Sequence, residues 1–412
     1  MPSPTNTHIS GNGRKGRWVF LLPRGPSARR VELLDAPSTG GGSAQRVVAD
    51  LDPFDAWRTG VQREVLARVE EFVGVRCAAE LRGAGVDIAV DVLTQFVSGG
   101  KCLRSTFAYL GWLCRASPDD AALRATPDDA ALRAAASFEL LHAFALLQDD
   151  VMDGSALRRG RPAAHVQFGQ WHRARGLSGS ATRFGESAAI LLADLCLVWA
   201  AQMLRESGLP TDALQRAWPR YDAMRTELAV GQFADLVNDA RGLPTLEDVL
   251  DVARRKSGNY TVRRPLEIGA ALAGCDNRTM VLLGSYGTAV GEAFQLRDDL
   301  LGIFGSALVT GKPSGDDLSE HKATSVVVAA HQMADPTIRR QLTELMSCDE
   351  IDDDAIARWR TLIVATGAVQ WIEETIAERV TAARHQISDT RIDESVRAAL
   401  ASMAAVCTAR TA

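Results

Sequence analysis

Two strongly apolar helical runs in this chain end in paired aspartates, and this pattern constrains the fold more than any other. Residues 140–165 read LLHAFALLQDDVMDGSALRRGRPAAH. The apolar part ends in Asp149, Asp150 and Asp153, and Arg158, Arg159 and Arg161 follow at once. Residues 294–302 read FQLRDDLLG, so Asp298 and Asp299 end a second apolar run. Two acid-tipped apolar helices far apart in sequence are able to face each other across the cavity of a helical bundle. Taken alone, the first segment fits two arrangements. One is a surface cluster of salt bridges. The other is a site that holds a metal on its acids and phosphate oxygens on its bases.

The remaining pattern is helical. Phe54, Trp57, Val61, Val65, Val69 and Phe72 recur at three- and four-residue steps, as on one face of an amphipathic helix. Similar segments follow at about 86–97, 102–115, 129–152, 185–207, 211–238, 246–257, 262–273, 277–304, 320–333, 336–347, 353–382 and 391–408. Alternating strand patterns are scarce, and no Asn-Gly or Asp-Gly turn brackets a pair of strands. The sequence therefore predicts an all-α chain folded as one large bundle. Residues 1–50, rich in Ser, Pro, Gly, Thr and Arg, are expected to be a largely disordered tail, leaving 51–412 as the folded unit. The octapeptide PDDAALRA occurs twice, at 118–125 and 127–134. Its aspartates, Asp119, Asp120, Asp128 and Asp129, follow prolines and suit helix N-termini better than a metal site.

The 412 residues are 46% apolar and 24% charged, with a formal net charge of −5. Neither sign dominates, which argues against nucleic acid as a partner. The seven cysteines form no CxxC pair and are odd in number, as expected of free thiols in a cytoplasmic protein. No uninterrupted apolar run reaches the ~18 residues of a membrane span. The run WVFLLP at 18–23 is too short for a signal-peptide core.

Spacing gives the acids a division of labour. Asp149 and Asp153 are four residues apart and share one helix face, with Asp150 rotated aside. Such hard oxygen donors suit Mg²⁺, which completes its shell with water and phosphate oxygens. A diphosphate bridged by metal to Asp149 and Asp153 on one side and Asp298 and Asp299 on the other would leave as a neutralised group. The bases supply the remaining counter-charge. Gly99, Gly100, Lys101 and Arg104 place a flexible turn and two cations at a helix start. Arg158, Arg159, Lys256, Ser257, Lys312 and Lys322 stand beside other motifs.

These motifs, in this order, resemble the trans-type polyprenyl diphosphate synthases, from about residue 55 to the C-terminus. SGGKCLR resembles the family's GGKxxR element, which implies that Lys101 and Arg104 bind the diphosphate of isopentenyl diphosphate. ELLHAFALLQDDVMD resembles the first Asp-rich region, with His142 as another isopentenyl-diphosphate contact. RRGRPAAH implies Arg158 on the allylic diphosphate and Arg159 on the isopentenyl one. VGQFAD implies Gln232 and Asp235 near the reacting centre, and RRKSGNYT implies Lys256 and Ser257 on the allylic substrate. FQLRDDLLGIFG resembles the second Asp-rich motif, with Gln295, Asp298 and Asp299. TGKPSGDDLSEHK resembles the closing loop, with Lys312, Asp317 and Lys322. Two departures stand out: Gly302 occupies a place where many members carry a third Asp, and Ser257 replaces the commoner Thr.

The resemblance implies an isoprenoid-synthase-like bundle around a central cavity, acting as a homodimer with several Mg²⁺ ions, or Mn²⁺ in their place. The implied reaction adds isopentenyl diphosphate head-to-tail to dimethylallyl, geranyl or farnesyl diphosphate. Asp149, Asp153, Asp298, Lys256 and Gln232 carry the catalysis, and Asp150 and Asp299 complete the metal-binding set. Phe144 and Ala145, the fifth and fourth residues before Asp149, lie where the growing chain would descend. One aromatic at the fifth position with a small neighbour implies geranylgeranyl diphosphate. Farnesyl or longer products (C25 or more) are the alternative. A class I terpene cyclase would not need a second diphosphate site, and a non-catalytic subunit would be expected to lose the metal carboxylates.

Overall fold

The computed structural model describes residues 52–82, 85, 87–115, 127–241, 243–305, 315–348, 351–389 and 391–409. The expected N-terminal tail, the first PDDAALRA copy through Ala125 and Lys312 lie outside the described residues. The described chain is almost wholly helical, as the periodicity predicts. In order, the helices are α1 (Pro53–Arg76), α2 (Asp87–Val97), α3 (Leu103–Leu113), α4 (Pro127–Met152), α5 (Ala164–Ala174), α6 (Ala181–Arg205) and α7 (Thr211–Arg241). α8 (Leu246–Val252) runs into a π-helical segment, Ala253–Arg263, and directly on into α9 (Arg264–Ala273). Then come α10 (Asn277–Phe304), α11 (Asp316–Ser319), α12 (Ser325–Met333), α13 (Pro336–Met346), α14 (Asp353–Ala365), α15 (Ala368–Gln386) and α16 (Glu394–Thr408).

Local chemistry sets most helix ends. Asp52, Ser180, Asp276, Thr324, Asp335, Asp352 and Asp393 each cap a helix by accepting from a backbone N–H in its first turn. Thr245 and Asp248 form a reciprocal capping box at α8. Asp129, near the start of α4, pairs with Arg68 at 2.6 Å and Arg133 at 3.0 Å, as its helix-start reading suggests.

Two expected helices are divided. The stretch 353–382 breaks at Gly367, whose φ of +81° a helix cannot continue through. The stretch 320–333 begins only at Ser325, because Thr324 is extended and caps α12. Some elements escaped the periodicity: α5, the one-turn α11, and an antiparallel hairpin of two-residue strands, Leu157–Arg158 (β1) with Arg161–Pro162 (β2). Its central residues, Arg159 (φ 52°) and Gly160 (φ 72°), are both left-handed, as a tight primed turn requires. Arg-Gly replaces the usual Asn-Gly, so the turn was not recognised.

α4 is central, packing against α1, α3 and α6, while α10 lies between the π segment and α15. One apolar core joins α1–α4 to α6, α7, α9, the first half of α10 and α16; a second joins the end of α10 to α12–α15. Asp129–Met152 and Ala181–Arg205 are long and apolar enough, by length and composition alone, to cross a membrane. The expectation from uninterrupted apolar runs missed them because polar residues are spaced along both helices. In this fold α4 and α6 are core helices packed on each other.

The π segment carries several candidate site residues and is seated on α10 through a glycine pair. A Cβ on Gly258 would lie 2.9 Å from the Gly291 carbonyl oxygen, and one on Gly291 2.6 Å from the Gly258 carbonyl oxygen. Backbone meets backbone there, so neither side can yield by rotating a side chain. Gly291→Ala is therefore expected to destabilise the protein by about 1–3 kcal/mol through overpacking, measured by urea denaturation. An unchanged midpoint would show that the segment can move aside.

Candidate active site

A cavity of about 1470 Å³ opens among α3, α4, α6, α7, the π segment and α10. Its walls carry Lys101, Arg104, His142, Phe144, Ala145, Asp149, Arg158, Arg159, Gln232, Lys256, Ser257, Gln295 and Asp298. The fold thus brings together most of the residues singled out from sequence.

One wall is cationic. Gly100 (φ +132°) and Cys102 (φ 47°) bend the chain into α3, and Gln62 Nε2 donates to the Gly100 carbonyl at 2.5 Å. The hairpin tip places Arg159 there: its Nη1 donates to the Gly99 carbonyl at 3.0 Å, and its guanidinium lies 3.2 Å from where a Gly100 Cβ would stand. Arg104 stacks over Tyr260 at 4.4 Å from the ring centre and donates to Thr261 Oγ1 at 2.9 Å. His142 lies on the same wall, its Nδ1 buried without a partner. Burial, then Arg104, Arg159 and Arg158, push its pKa well below the ordinary value, so it is neutral at neutral pH. Burial also holds Arg159 below the ordinary arginine value. This positive wall is suited to bind an anion, with the neutral imidazole as an added hydrogen-bonding group.

The acidic end is organised differently. Lys256 Nζ lies 3.1 Å from Asp149 Oδ1 and 2.7 Å from Asp235 Oδ2. Burial opposes the Lys256 charge, but the two carboxylates outweigh it and raise its pKa. Arg158 reaches Asp149 at 3.7 Å and makes a bond from Nε to Asp150 Oδ1 at 2.8 Å. Asp153 Oδ2 pairs with Lys322 Nζ at 3.1 Å, and Lys322 also pairs with Glu320 at 2.8 Å. Burial again opposes the ammonium, and the surrounding acids raise its pKa.

Two residues of the expected metal-binding set lie off the cavity wall. Asp150 is 1% exposed and absent from the cavity wall, and its Oδ1 is engaged by Arg158. It anchors Arg158 from behind. Asp299 is also off the wall. Its Oδ1 accepts from Gln295 Nε2 at 2.6 Å, and its Oδ2 from the Ser325 backbone N–H at 3.1 Å and Oγ at 2.5 Å. It joins α10 to α12. Of the acids in the two Asp-rich motifs, Asp149 and Asp298 are on the wall, with Asp153 one helical turn beyond Asp149. Their open set of hard oxygens fits a divalent cation that keeps water and takes phosphate oxygens. Among the described residues no three His, Cys, Asp or Glu side chains converge in a closed cage.

Lower down, Phe144, Ala145, Leu197 and Leu228 line an apolar chamber. Sequence reasoning missed Glu139, Tyr260, Thr261, Asp222 and Arg225 on the wall. Asp222, Arg225, Ala229 and Gln232 recur at helical spacing along α7, so the face already marked by Gln232 could have found Asp222 and Arg225.

Burial pushes the Asp299 carboxyl up to about 7, against the pull of its hydrogen bonds to Ser325 and Gln295. The folded protein therefore keeps a proton that the unfolded chain releases near pH 4. Stability is expected to fall as pH rises from about 4 to about 7 and then to level off. Urea midpoints for Asp299→Asn should decline less across that window than those of the parent protein. Parallel curves would exclude Asp299 as the source.

Comparison with known proteins shows the family. The family profile described as polyprenyl synthetase matches residues 86–363. A geranylgeranyl diphosphate synthase of Mycobacterium tuberculosis is 36% identical over 58% of this chain and 61% of its own length. A geranylfarnesyl diphosphate synthase of Aeropyrum pernix is 32% identical over 62% of this chain and 74% of its own. The crystal structure of a geranylgeranyl pyrophosphate synthase from Corynebacterium glutamicum, complexed with isoprenyl diphosphate and magnesium, superposes with a TM-score of 0.81. It is 35% identical and covers 86% of this chain and 99% of that one. The fold, the cavity with its acidic and cationic walls, and these matches together place the chain in the polyprenyl synthetase family.

Proposed function

We propose that this polyprenyl diphosphate synthase uses Mg²⁺ to condense isopentenyl diphosphate with dimethylallyl, geranyl or farnesyl diphosphate, stopping at geranylgeranyl diphosphate. The observation that carries the reading is one cavity with two differently built anion sites above an apolar chamber. Lys101, Arg104, Arg159 and neutral His142 form the site for isopentenyl diphosphate. Asp149, Asp153 and Asp298, with Arg158 and Lys256, form the site for the allylic diphosphate. Mg²⁺, when bound to those three acids, supplies positive charge to the departing diphosphate.

The chain's own residues do the rest. Arg158 and Lys256 offer fixed positive charge where negative charge develops as the allylic C–O bond breaks and diphosphate keeps the electron pair. Lys322, held by Asp153, adds charge at the same end. Gln232 and Ser257 turn polar groups toward the allylic carbon, and Gln295 positions Asp299. The isopentenyl double bond attacks that carbon, a new C–C bond forms, and a proton passes to the released diphosphate. Apolar walls keep water from the cation.

Phe144 lies five residues, about 7.5 Å of helix, below Asp149, and Ala145 leaves space beside it. The relatives named for geranylgeranyl and geranylfarnesyl products show that members of this family differ in stopping point. A homodimer is supported by exposed apolar side chains on α6, with Leu191 and Val198 more than half exposed. The free cysteines, five of them buried, suit a reducing cytoplasm.

Incubation with isopentenyl diphosphate, each allylic primer and Mg²⁺ is expected to give C20 diphosphate by mass spectrometry, and chelation is expected to abolish it. Hydrocarbon products, or no turnover with any primer, would overturn the reading. Phe144→Ala is expected to shift the products to C25 or longer; an unchanged distribution would remove Phe144 as the floor.

A further inference from the structure

The lining that α7 gives the cavity changes character along the helix. Below Gln232 it passes through Ala229 and Leu228 and then reaches Arg225 and Asp222. Arg225 lies seven residues, about 10.5 Å of helix, below Gln232, and Asp222 lies one turn lower still. The apolar chamber therefore ends on an ion pair.

The pair is firmly seated. Arg225 Nη2 donates to Asp222 Oδ1, and the guanidinium lies over the Tyr221 ring, 4.7 Å from its centre. Tyr221 is fully buried and packs edge-on against Trp218 at 5.4 Å and against Phe138 of α4 at 6.1 Å. Phe138 precedes Phe144 by six residues, so this aromatic base ties α7 to α4 about 9 Å below Phe144. Arg225 Nε is buried with no hydrogen-bond partner among the described residues, while the Asp222 side chain is 61% exposed. The guanidinium is thus already partly desolvated and meets solvent on the side of Asp222. Hydrocarbon laid over that side would remove hydration without supplying a hydrogen bond, which is costly for a charged group.

We infer that Arg225, held by Asp222 and Tyr221, is a second floor of the chamber and sets the greatest length a prenyl chain reaches once it passes Phe144. Arg225 is a specificity-determining residue in this account, which rests on the function proposed above. The two floors act by different physics. Phe144 stops a chain by bulk, which a small side chain removes. Arg225 stops it by charge, which a neutral side chain of similar length removes.

Products made from isopentenyl and farnesyl diphosphates with Mg²⁺, sized by mass spectrometry, test this. Phe144→Ala is expected to lengthen the products only to a sharp limit. Adding Arg225→Met, which keeps most of the side-chain length and removes the charge, should raise the share of products beyond that limit about tenfold. Adding Arg225→Lys in its place should keep the limit. Circular dichroism establishes that each variant is folded. The same limit with and without Arg225→Met overturns the inference. So does equal lengthening by Arg225→Met and Arg225→Lys, which would make bulk the barrier. If Phe144→Ala makes only the native product, Phe144 is not the upper floor; Arg225→Met in the otherwise native chain then supports the inference by longer products and overturns it by unchanged ones. Calorimetric titration of the full chain with farnesyl, geranylgeranyl and longer prenyl diphosphates gives a readout that needs no turnover. Adding Arg225→Met to Phe144→Ala should tighten binding of the longest of these about tenfold, and equal affinities overturn the inference. A native chain that forms no prenyl diphosphate overturns the proposed function, and the titration then decides the inference separately.

Discussion

Compensation of buried charge governs this molecule. Apolar helices carry ionic groups into a bundle where an unpaired ion would cost several kcal/mol. Around the acidic end each buried cation has its carboxylate: Arg158 has Asp150, Lys256 has Asp149 and Asp235, and Lys322 has Asp153 and Glu320. The opposite wall is different. Arg159 is held mainly by backbone carbonyls and Arg104 by an aromatic face and a hydroxyl, beside an imidazole kept neutral by its surroundings. Glu139 offsets part of the positive charge there, and a substrate anion can complete the balance. The neutralised and incompletely neutralised halves of one cavity correspond to the two sites proposed for the two diphosphates.

The helices were legible because burial on one face writes a three-to-four-residue period into the sequence. α4 and α10 show it most clearly, and both were located with their acidic ends. Where the path depends on backbone conformation, the sequence carried less. Gly367 ends α14 through a left-handed φ that composition does not announce, and the Arg159–Gly160 turn lacks the customary Asn or Asp. The π segment is set by register and by the contact of Gly258 with Gly291, which no periodicity reveals.

Within the site, identity was easier to see than orientation. Most motif residues line one cavity, with Lys312 outside the described residues. Yet Asp150 and Asp299, adjacent to wall residues in sequence, turn away from the cavity. A helix rotates about 100° per residue, so the second member of each Asp pair faces the protein interior. There one anchors an arginine and the other joins two helices. Glu139 and Thr261 reach the cavity from segments whose neighbours drew attention first.

The hairpin at Arg158–Arg161 has one further consequence. Arg158 and Arg159 are adjacent in sequence, but the reversal between them sends one to the carboxylates of α4 and the other to the Gly99 carbonyl before α3. Under the proposed function, two anions gripped by these neighbouring residues would be separated by a covalent ruler, set by the left-handed turn at its tip. The reach between nucleophile and electrophile would then be written into the backbone at the turn, and would stay the same while the hydrocarbon below lengthens.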